Sequence, residues 1–257
     1  MKKVVLLDMD GTLTPPRKRM ERNILRSLEE LQNNNFEIAI VSGSDLDYIK
    51  EQCDIMWDIC LINYESLHIL PCNGTKYYKF SSKGFEKKYE LDMKNHIGVS
   101  KYGNIIKALL DSQTAVRYSL GGSSIPLSGT FIQYRGSMVN WCPIGRDASD
   151  DERKIWIELD NKYKIRKAMH RRLLSSPAFA DITIKMGGET SFDIYPKGWD
   201  KTYAWKVFKE YQKIYFVGDR CSPSGNDFEA YQMAGQNGFE TSGPQKTIEI
   251  ISEIINR

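Results

Sequence analysis

The sequence predicts an α/β protein: a parallel sheet covered by helices on both faces, interrupted by a smaller α/β insert with antiparallel strands. Three observations predict it. Lys3-Val4-Val5-Leu6-Leu7 and Phe36-Glu37-Ile38-Ala39-Ile40-Val41 are short apolar, β-branched runs with an amphipathic stretch between them, the alternation that builds a parallel sheet. Between about residues 84 and 197 strict alternation lapses, and hairpin-like pairs take its place. A third apolar run, Lys213 to Val217, then ends in Gly218-Asp219, so the parallel pattern resumes. One core domain split by an insertion explains this order, with core segments 1–84 and 198–257 and an inserted unit over 85–197.

Each element has its own signal. Ile24, Leu25, Leu28 and Leu31 recur at helical spacing between Met20 and Leu31. Ser42-Gly43 stops the second strand, and Ser44-Asp45 can cap the following helix. A shorter third strand is expected over Ile59 to Asn63, then a hairpin-like stretch from Leu67 to Phe80 turning at Cys72-Asn73-Gly74-Thr75. Within the insert, Asn95 to Ser112 reads as a helix. Thr130–Arg135 and Ser137–Trp141 read as an antiparallel pair, Asp150 to Leu174 as one or two helices, and Asp181 to Tyr195 as two strands around Gly187-Gly188. Trp199 to Tyr211 reads as a helix leading into the last strand.

Composition excludes several function classes. Apolar residues make up 41% and charged residues 27%, which argues for a folded chain rather than a disordered one. No apolar run approaches the roughly 20 residues needed to cross a bilayer. Lys plus Arg number 36 against 33 Asp plus Glu, too small a surplus to point to nucleic acid. Cys53, Cys60, Cys72, Cys142 and Cys221 are odd in number and lack metal-ligand spacing. With a chain that opens in a strand rather than a targeting segment, they lead us to expect free thiols in the cytoplasm.

The chemistry is concentrated at strand ends, where open α/β sheets bind ligands. Asp8 and Asp10 close the first strand two residues apart and repel unless a cation sits between them, which implies Mg²⁺. Phosphoryl transfer needs a nucleophile, an acid/base, a cation and fixed positive charge. Asp8 is the candidate nucleophile and a metal ligand; Asp10 is the candidate acid/base and shares the metal. Ser42 offers a hydroxyl to phosphate after the second strand, and Lys201 can neutralise Asp8 and the phosphoryl oxygens. Asp219, with Asn226-Asp227 downstream, completes the cation site. Each piece alone is weak; their order and strand-end placement make the set strong.

Asp8-Met9-Asp10-Gly11-Thr12 resembles the signature of the haloacid dehalogenase superfamily, whose first Asp becomes an aspartyl phosphate. The chain further resembles the eukaryotic-type phosphomannomutases over nearly its whole length. The strings that carry this are Asp8 through Arg17, Gly129–Arg135, Asn140, Pro143–Arg146, Glu152-Arg153 and Gly187–Lys201. The resemblance implies a haloacid dehalogenase-like, Rossmann-like core with an α/β cap and a homodimer formed through that cap. It implies Mg²⁺-dependent interconversion of mannose 6-phosphate and mannose 1-phosphate, primed by a hexose 1,6-bisphosphate and feeding GDP-mannose synthesis. It also implies substrate contacts from Arg17, Arg135, Arg146, Arg153, Ser191 and Asp193.

A mutase must hold the phosphate that is not reacting, and Arg135, Arg146 and Arg153 suit that dianion. Ser191 adds a donor, and Asp193 can accept from sugar hydroxyls. Arg166, Arg171 and Arg172 lie outside the family strings and read as surface charge. Closure of the cap would keep water from an aspartyl phosphate, with hinges expected near Ser81–Gly84 and Lys197-Gly198. The chain also departs from the family. Asn63-Tyr64-Glu65-Ser66 stands where a Glu-Asn-Gly turn is expected after the third strand, and Ser42 replaces a glycine. Arg220 and Ser224 are substitutions that leave the neighbouring acids in place, and Gln232–Gln236 lacks the acid used for an accessory cation. Two other functions compete. A sugar-phosphate phosphatase shares the core pieces but has no need of the cap set. A non-catalytic sensor should lack Asp8 or Asp10, and both are present.

Overall fold

The apolar runs form strands buried on both faces, which is why they lack alternation. In β1 (Lys3–Leu7) every residue from Val4 onward is buried, and β2 (Phe36–Val41) is nearly as dry. Between them α1 (Arg22–Asn33) turns Ile24, Leu25, Leu28 and Leu31 into the core. Asp45 caps α2 (Leu46–Gln52), accepting from the Tyr48 amide at 3.0 Å, and the single turn α3 (Ile55–Asp58) follows. Then come β3 (Leu67–Leu70), β4 (Lys76–Ser81) and β5 (Gly84–Glu90). This computed structural model describes every residue except 1, 59–60, 117–118 and 121–122.

The chain divides into two units, Leu91–Lys197 and the remainder. The inserted unit begins with α4 (Met93–Ile97) and α5 (Val99–Thr114), then β6 (Ser119–Leu120), β7 (Ser123–Ser124), β8 (Ile132–Tyr134) and β9 (Val139–Trp141). Next come α6 (Asp150–Tyr163), α7 (Ile165–Leu174), β10 (Ile182–Gly187) and β11 (Ser191–Pro196). Ser149 and Glu152 cap α6 reciprocally, and Lys164, at φ 54°, breaks the Asp150–Leu174 stretch into two helices. Its sheet runs β10-β11-β9-β8, antiparallel throughout, and Cys142, Ile144, Trp156 and Leu159 share one apolar cluster.

The first unit is completed by β12 (Lys213–Gly218), α8 (Phe228–Ala234), β13 (Gly238–Glu240) and α9 (Pro244–Ile255). Its sheet runs β13-β12-β1-β2-β3-β4-β5. The first five strands are parallel, and β4 and β5 are added antiparallel. From β1 the chain steps one way to β2 and β3, and the returning strand β12 pairs on the other side. That reversal of strand order is where an open sheet leaves a crevice beyond its carboxyl ends.

Several expectations need correcting. The strand expected over Ile59–Asn63 falls partly outside the described residues, and Leu61–Asn63 are not in a strand. The side chain of Gln32 bonds both backbone groups of Asn63 (2.8 and 2.9 Å), and the Ser66 amide also donates to the Asn63 carbonyl at 3.2 Å. Asn63 is thus held outside the ladder, and the third strand is Leu67–Leu70. Phe85 to Glu90, expected in the insert, belong to the strand that pairs with β4, so the first crossing between units lies at Glu90–Leu91. Ser81–Gly84 is accordingly a hairpin turn within one sheet and no hinge. Gly98, at φ 84°, divides the helix expected over Asn95–Ser112. The helix expected over Trp199–Tyr211 is a 3₁₀ segment, Lys201–Val207, whose buried positions Lys201 and Ala204 recur every three residues. Among the described residues Cys53, Cys72, Cys142 and Cys221 are buried free thiols; Cys60 lies outside them. No helix among these residues is long and apolar enough to cross a membrane.

Candidate active site

Asp8 follows β1 directly, its amide donating to the Val217 carbonyl at 2.9 Å, so the nucleophile candidate is fixed by the parallel ladder itself. The chain then turns sharply: the amides of Leu13 and Thr14 both donate to the Met9 carbonyl at 2.9 Å. Gly11, at φ 86°, makes this turn possible; a Cβ there would lie 2.3 Å from Asp219 Oδ2. Thr12 Oγ1 donates to Asp8 Oδ2 at 3.3 Å, and α9 holds the turn through Thr247 Oγ1 and the Thr12 carbonyl at 2.9 Å.

Lys201 reaches this point from the far end of the chain. Asp200 caps its segment, accepting from the Thr202 amide at 2.9 Å, and the ammonium of Lys201 is fully buried. It donates to Asp8 Oδ1 and, at 2.5 Å, to Asp227 Oδ1. Asp227 Oδ2 accepts from the Arg220 amide at 3.0 Å. Asp8, Asp219 and Asp227 bring carboxylate oxygens within 4.8 Å of one another.

Lys201 thus serves Asp8 and Asp227, while Asp219 Oδ2 lies 3.7 Å from Arg220 Nε. Burial, reinforced by Asp227 and Asp219 against the pull of Lys201, holds the Asp8 carboxyl well above its usual range. Burial and the charge of Asp227 push Asp219 up to about 6. For Lys201 burial alone would favour the neutral amine, but Asp227 and Asp8 outweigh it and raise its pKa. Three carboxylates against one ammonium and one part-exposed guanidinium leave the cluster short of positive charge. Asn226 Oδ1, next to Asp227 in the chain, is also buried without a hydrogen-bond partner. An all-oxygen, strongly anionic donor set of this kind fits a hard divalent cation such as Mg²⁺.

Asp10, expected to share the metal, keeps its carboxylate outside that group of three. Its Oδ1 accepts from Tyr48 Oη at 3.1 Å and from the Arg17 amide at 3.2 Å. Arg17 itself is exposed, on left-handed backbone at φ 61°. Ser42 is buried after β2; its hydroxyl accepts from the Ser44 amide at 3.0 Å, and its carbonyl from the Asn73 amide at 2.8 Å.

In the inserted unit the remaining predicted residues form one network. Arg135, Ser191 and Asp193 are all buried. Asn140 Nδ2 donates to Asp193 Oδ1 at 2.8 Å, and Arg135 Nη1 lies 4.0 Å from the same oxygen. Arg146 Nη1 donates to Asn140 Oδ1 at 3.1 Å, so two guanidinium groups converge on one Asn–Asp pair. Arg153 makes three bonds of its own, to the Ala148 carbonyl (3.0 Å), Thr190 Oγ1 (2.8 Å) and the Arg146 carbonyl (2.7 Å). Arg166 is not plain surface charge. It pairs with buried Asp160 at 2.7 Å and donates to the Gly188 carbonyl at 3.0 Å, fixing the β10–β11 turn.

The sequence reading leaves out Thr12, Tyr48, Thr190 and Asp227's direct bond to Lys201. Only Asp227 had a usable signal, a second acid in the loop after β12 that already carries Asp219. The turn after β3 also changes one departure from the family pattern. With β3 at Leu67–Leu70, the following turn is Cys72-Asn73-Gly74, which keeps Asn-Gly and replaces only the Glu.

The model of the family described as eukaryotic phosphomannomutase matches residues 24–257. A phosphomannomutase of Solanum lycopersicum is 33% identical over 247 residues, 96% of this chain and 91% of that protein. One of Drosophila melanogaster is 32% identical over 256 residues, 98% and 95% of the two chains. Among solved structures, the IMP-nucleotidase of Plasmodium falciparum superposes with a TM-score of 0.65 at 15% identity, covering 99% of this chain and 62% of that one. Such a likeness speaks for the fold, which is the expected haloacid dehalogenase-like α/β core with an inserted α/β unit. At a third identity over nearly full length, and with a family model spanning all but the first strand and its loop, the chain belongs to the eukaryotic phosphomannomutase family.

Proposed function

We propose that the protein interconverts mannose 6-phosphate and mannose 1-phosphate by way of a phosphorylated Asp8, primed by a hexose 1,6-bisphosphate. An Asp8 oxygen attacks phosphorus of the bisphosphate; the bond to the sugar oxygen breaks, and Asp10 supplies that oxygen's proton, releasing a hexose monophosphate. In the second half a hydroxyl of the bound monophosphate attacks the phosphorus on Asp8 while Asp10 takes the hydroxyl proton. The Asp8–phosphorus linkage breaks and the bisphosphate re-forms. Lys201 neutralises Asp8 and the phosphoryl oxygens, and Ser42 offers a donor to them. Asp8, Asp219 and Asp227 would hold Mg²⁺; Asp10, expected with Asp8 and Asp219 as a ligand, keeps its carboxylate outside this group. Bound there, the cation supplies charge stabilisation at the transferring phosphoryl group.

The observation that carries a mutase over a phosphatase is the network of Arg135, Asn140, Arg146 and Asp193. A buried Asn–Asp pair flanked by two arginines offers both hydroxyl acceptors and anion donors. We assign the non-reacting phosphate to Arg135, Arg146 and Arg153, with Ser191 and Asp193 on the sugar and Arg17 as a further contact from the core unit. We further propose a cytoplasmic homodimer formed through the inserted unit and supplying mannose 1-phosphate for GDP-mannose synthesis. Light scattering of the purified chain tests the dimer.

The deciding experiment follows mannose 1-phosphate in Mg²⁺ with and without catalytic glucose 1,6-bisphosphate, reading mannose 6-phosphate and free phosphate together. Bisphosphate-dependent mannose 6-phosphate with little free phosphate is expected. Free phosphate alone would make the protein a sugar-phosphate phosphatase.

A further inference from the structure

The turn after β3 carries three successive residues on left-handed backbone: Cys72 at φ 50°, Asn73 at φ 63° and Gly74 at φ 82°. Only the last is a glycine. Non-glycine residues held this way cost conformational energy and persist where the surroundings fix them, often at functional sites. Here the surroundings are the two segments that carry Ser42 and Lys201.

Toward the first segment the turn presents its backbone. The Asn73 amide donates to the Ser42 carbonyl at 2.8 Å, and the Cys72 amide to the Ser44 carbonyl at 2.9 Å. A β-conformation at Cys72 and Asn73 would point these N–H groups elsewhere. Toward the second segment the turn presents a side chain and a gap. Asn73 is buried, and its Nδ2 donates to the Trp199 carbonyl at 3.3 Å, two residues before Lys201. Gly74 lets the turn press against the 3₁₀ segment that begins at Lys201; a Cβ there would lie 2.9 Å from the Ala204 amide nitrogen.

We infer that Asn73 is a positioning residue that ties the Ser42 loop to the Trp199–Lys201 segment and so sets the Lys201 ammonium against Asp8. Asn suits both demands: it tolerates left-handed backbone better than most side chains, and its amide is a donor where the Trp199 carbonyl needs one. Asp at this position keeps size and backbone tolerance but offers only acceptors to that carbonyl. The inference rests on the reading of Asp8 as a phosphoryl acceptor.

The test compares the wild type with Asn73→Asp and Asn73→Gly. One readout is steady-state conversion of mannose 1-phosphate in the presence of glucose 1,6-bisphosphate. A second, independent of sugar, is ¹⁹F NMR of beryllofluoride, a phosphoryl mimic, bound in Mg²⁺. Asn73→Asp is expected to lower kcat and beryllofluoride affinity about tenfold, the size of one lost buried hydrogen bond, with KM for mannose 1-phosphate within about twofold. Asn73→Gly keeps the backbone bond to Ser42 and removes only the amide. It should show a similar kcat loss with an unchanged melting temperature, separating position from folding. Wild-type kcat and beryllofluoride affinity in folded Asn73→Asp and Asn73→Gly would overturn the inference alone. A wild type that neither turns over nor binds beryllofluoride would overturn the Asp8 reading, and this inference with it.

Discussion

The ammonium of Lys201 donates to the carboxylate of Asp8, a partner 193 residues away in the chain, and the lysine is wholly shielded from solvent. One residue closes the first strand and the other opens a 3₁₀ segment after the inserted unit. The site therefore exists only when the first and last parts of the core are folded together. Because Asp227 shares the same ammonium, two buried carboxylates depend on one cationic side chain.

Replacing that side chain with an apolar one of similar length tests the dependence. In Lys201→Met the carboxylates of Asp8 and Asp227 lose their charge partner while the packing volume is largely kept. Mutase turnover is expected to fall at least about a hundredfold, the scale seen when a fixed positive or donor group is removed from a charge-stabilising site. Without divalent cation the variant should also lose about 3–5 kcal/mol of stability, the cost of leaving a buried charge uncompensated. Mg²⁺ should restore part of that stability and little of the turnover, as read by urea unfolding with Mg²⁺ or EDTA. Equal stability of variant and wild type in EDTA would contradict the buried pair.

Mg²⁺ itself should stabilise the wild type, because a cation that binds only the folded cluster shifts the folding equilibrium. At a hundred times its dissociation constant the gain is about 2.7 kcal/mol. Asp219→Asn removes one of the three clustered carboxylates and relieves the repulsion that raises its neighbour Asp8. That variant should be at least as stable as the wild type in EDTA yet gain much less from Mg²⁺, which differential scanning fluorimetry reads directly. An undiminished Mg²⁺ response would place the cation elsewhere.

The parts of the fold legible in the sequence are those where one dimension suffices. β1, β2 and β12 read as strands because burial on both faces leaves few polar positions, Glu37 of β2 and the opening lysines among them, and the residue after each is visible at once. The third strand was not so fixed. Ile59–Asn63 and Leu67–Leu70 are similarly apolar, and the choice between them is made by Gln32, which occupies the backbone of Asn63 from another helix. The Cys72-Asn73-Gly74-Thr75 stretch is legible as a turn, but not its reach to Ser42 and Trp199, which is tertiary. The site shows the same division. Asp8, Asp219 and Lys201 stand at element ends, whereas the bond from Lys201 to Asp227 and the Asn140 link between Arg146 and Asp193 are tertiary contacts that no spacing announces.

In the inserted unit, Arg146 offers the cleanest separation of binding from chemistry. Its Nη1 bonds Asn140 at 3.1 Å, and its removal leaves the core cluster around Asp8 untouched. Arg146→Met should raise KM for mannose 1-phosphate at least about tenfold, as for a lost bond to a charged group, with a smaller effect on kcat. Hydrolysis of a small aryl phosphate, which has no second phosphate to hold, should be unchanged within about twofold. A matching drop in the aryl phosphate rate would mean that Arg146 acts through folding rather than through substrate.

Far from these acids, the core buries His68 of β3 in a polar cluster with a pH dependence of its own. Its Nε2 meets Glu37 of β2 at 2.6 Å and its Nδ1 meets Tyr77 Oη of β4 at 2.9 Å. Lys79, also of β4, lies 3.4 Å from Nε2, and Tyr211 donates to Glu37 at 2.8 Å. Burial lowers the His68 pKa below 6.5 despite its hydrogen bond to the Glu37 carboxylate, so the folded protein keeps the ring neutral where the unfolded chain would protonate it. As pH falls through 6.5 the unfolded state takes up a proton that the folded state refuses, and stability declines until the folded pKa is reached. Glu37, whose pKa the His68 bond lowers, adds a second loss only at more acid pH, below its unfolded value of 4.5. The His68 contribution should therefore lower the urea midpoint in EDTA between pH 7 and pH 5.5, against an opposite contribution from Asp8 and Asp219, whose raised pKa values favour the folded state as pH falls. His68→Gln, with an amide that can still bond Glu37 and no titrating ring, should flatten that decline without removing the drop below pH 4.5. A His68→Gln profile that parallels the wild type between pH 7 and pH 5.5 would overturn the assignment of that loss to His68.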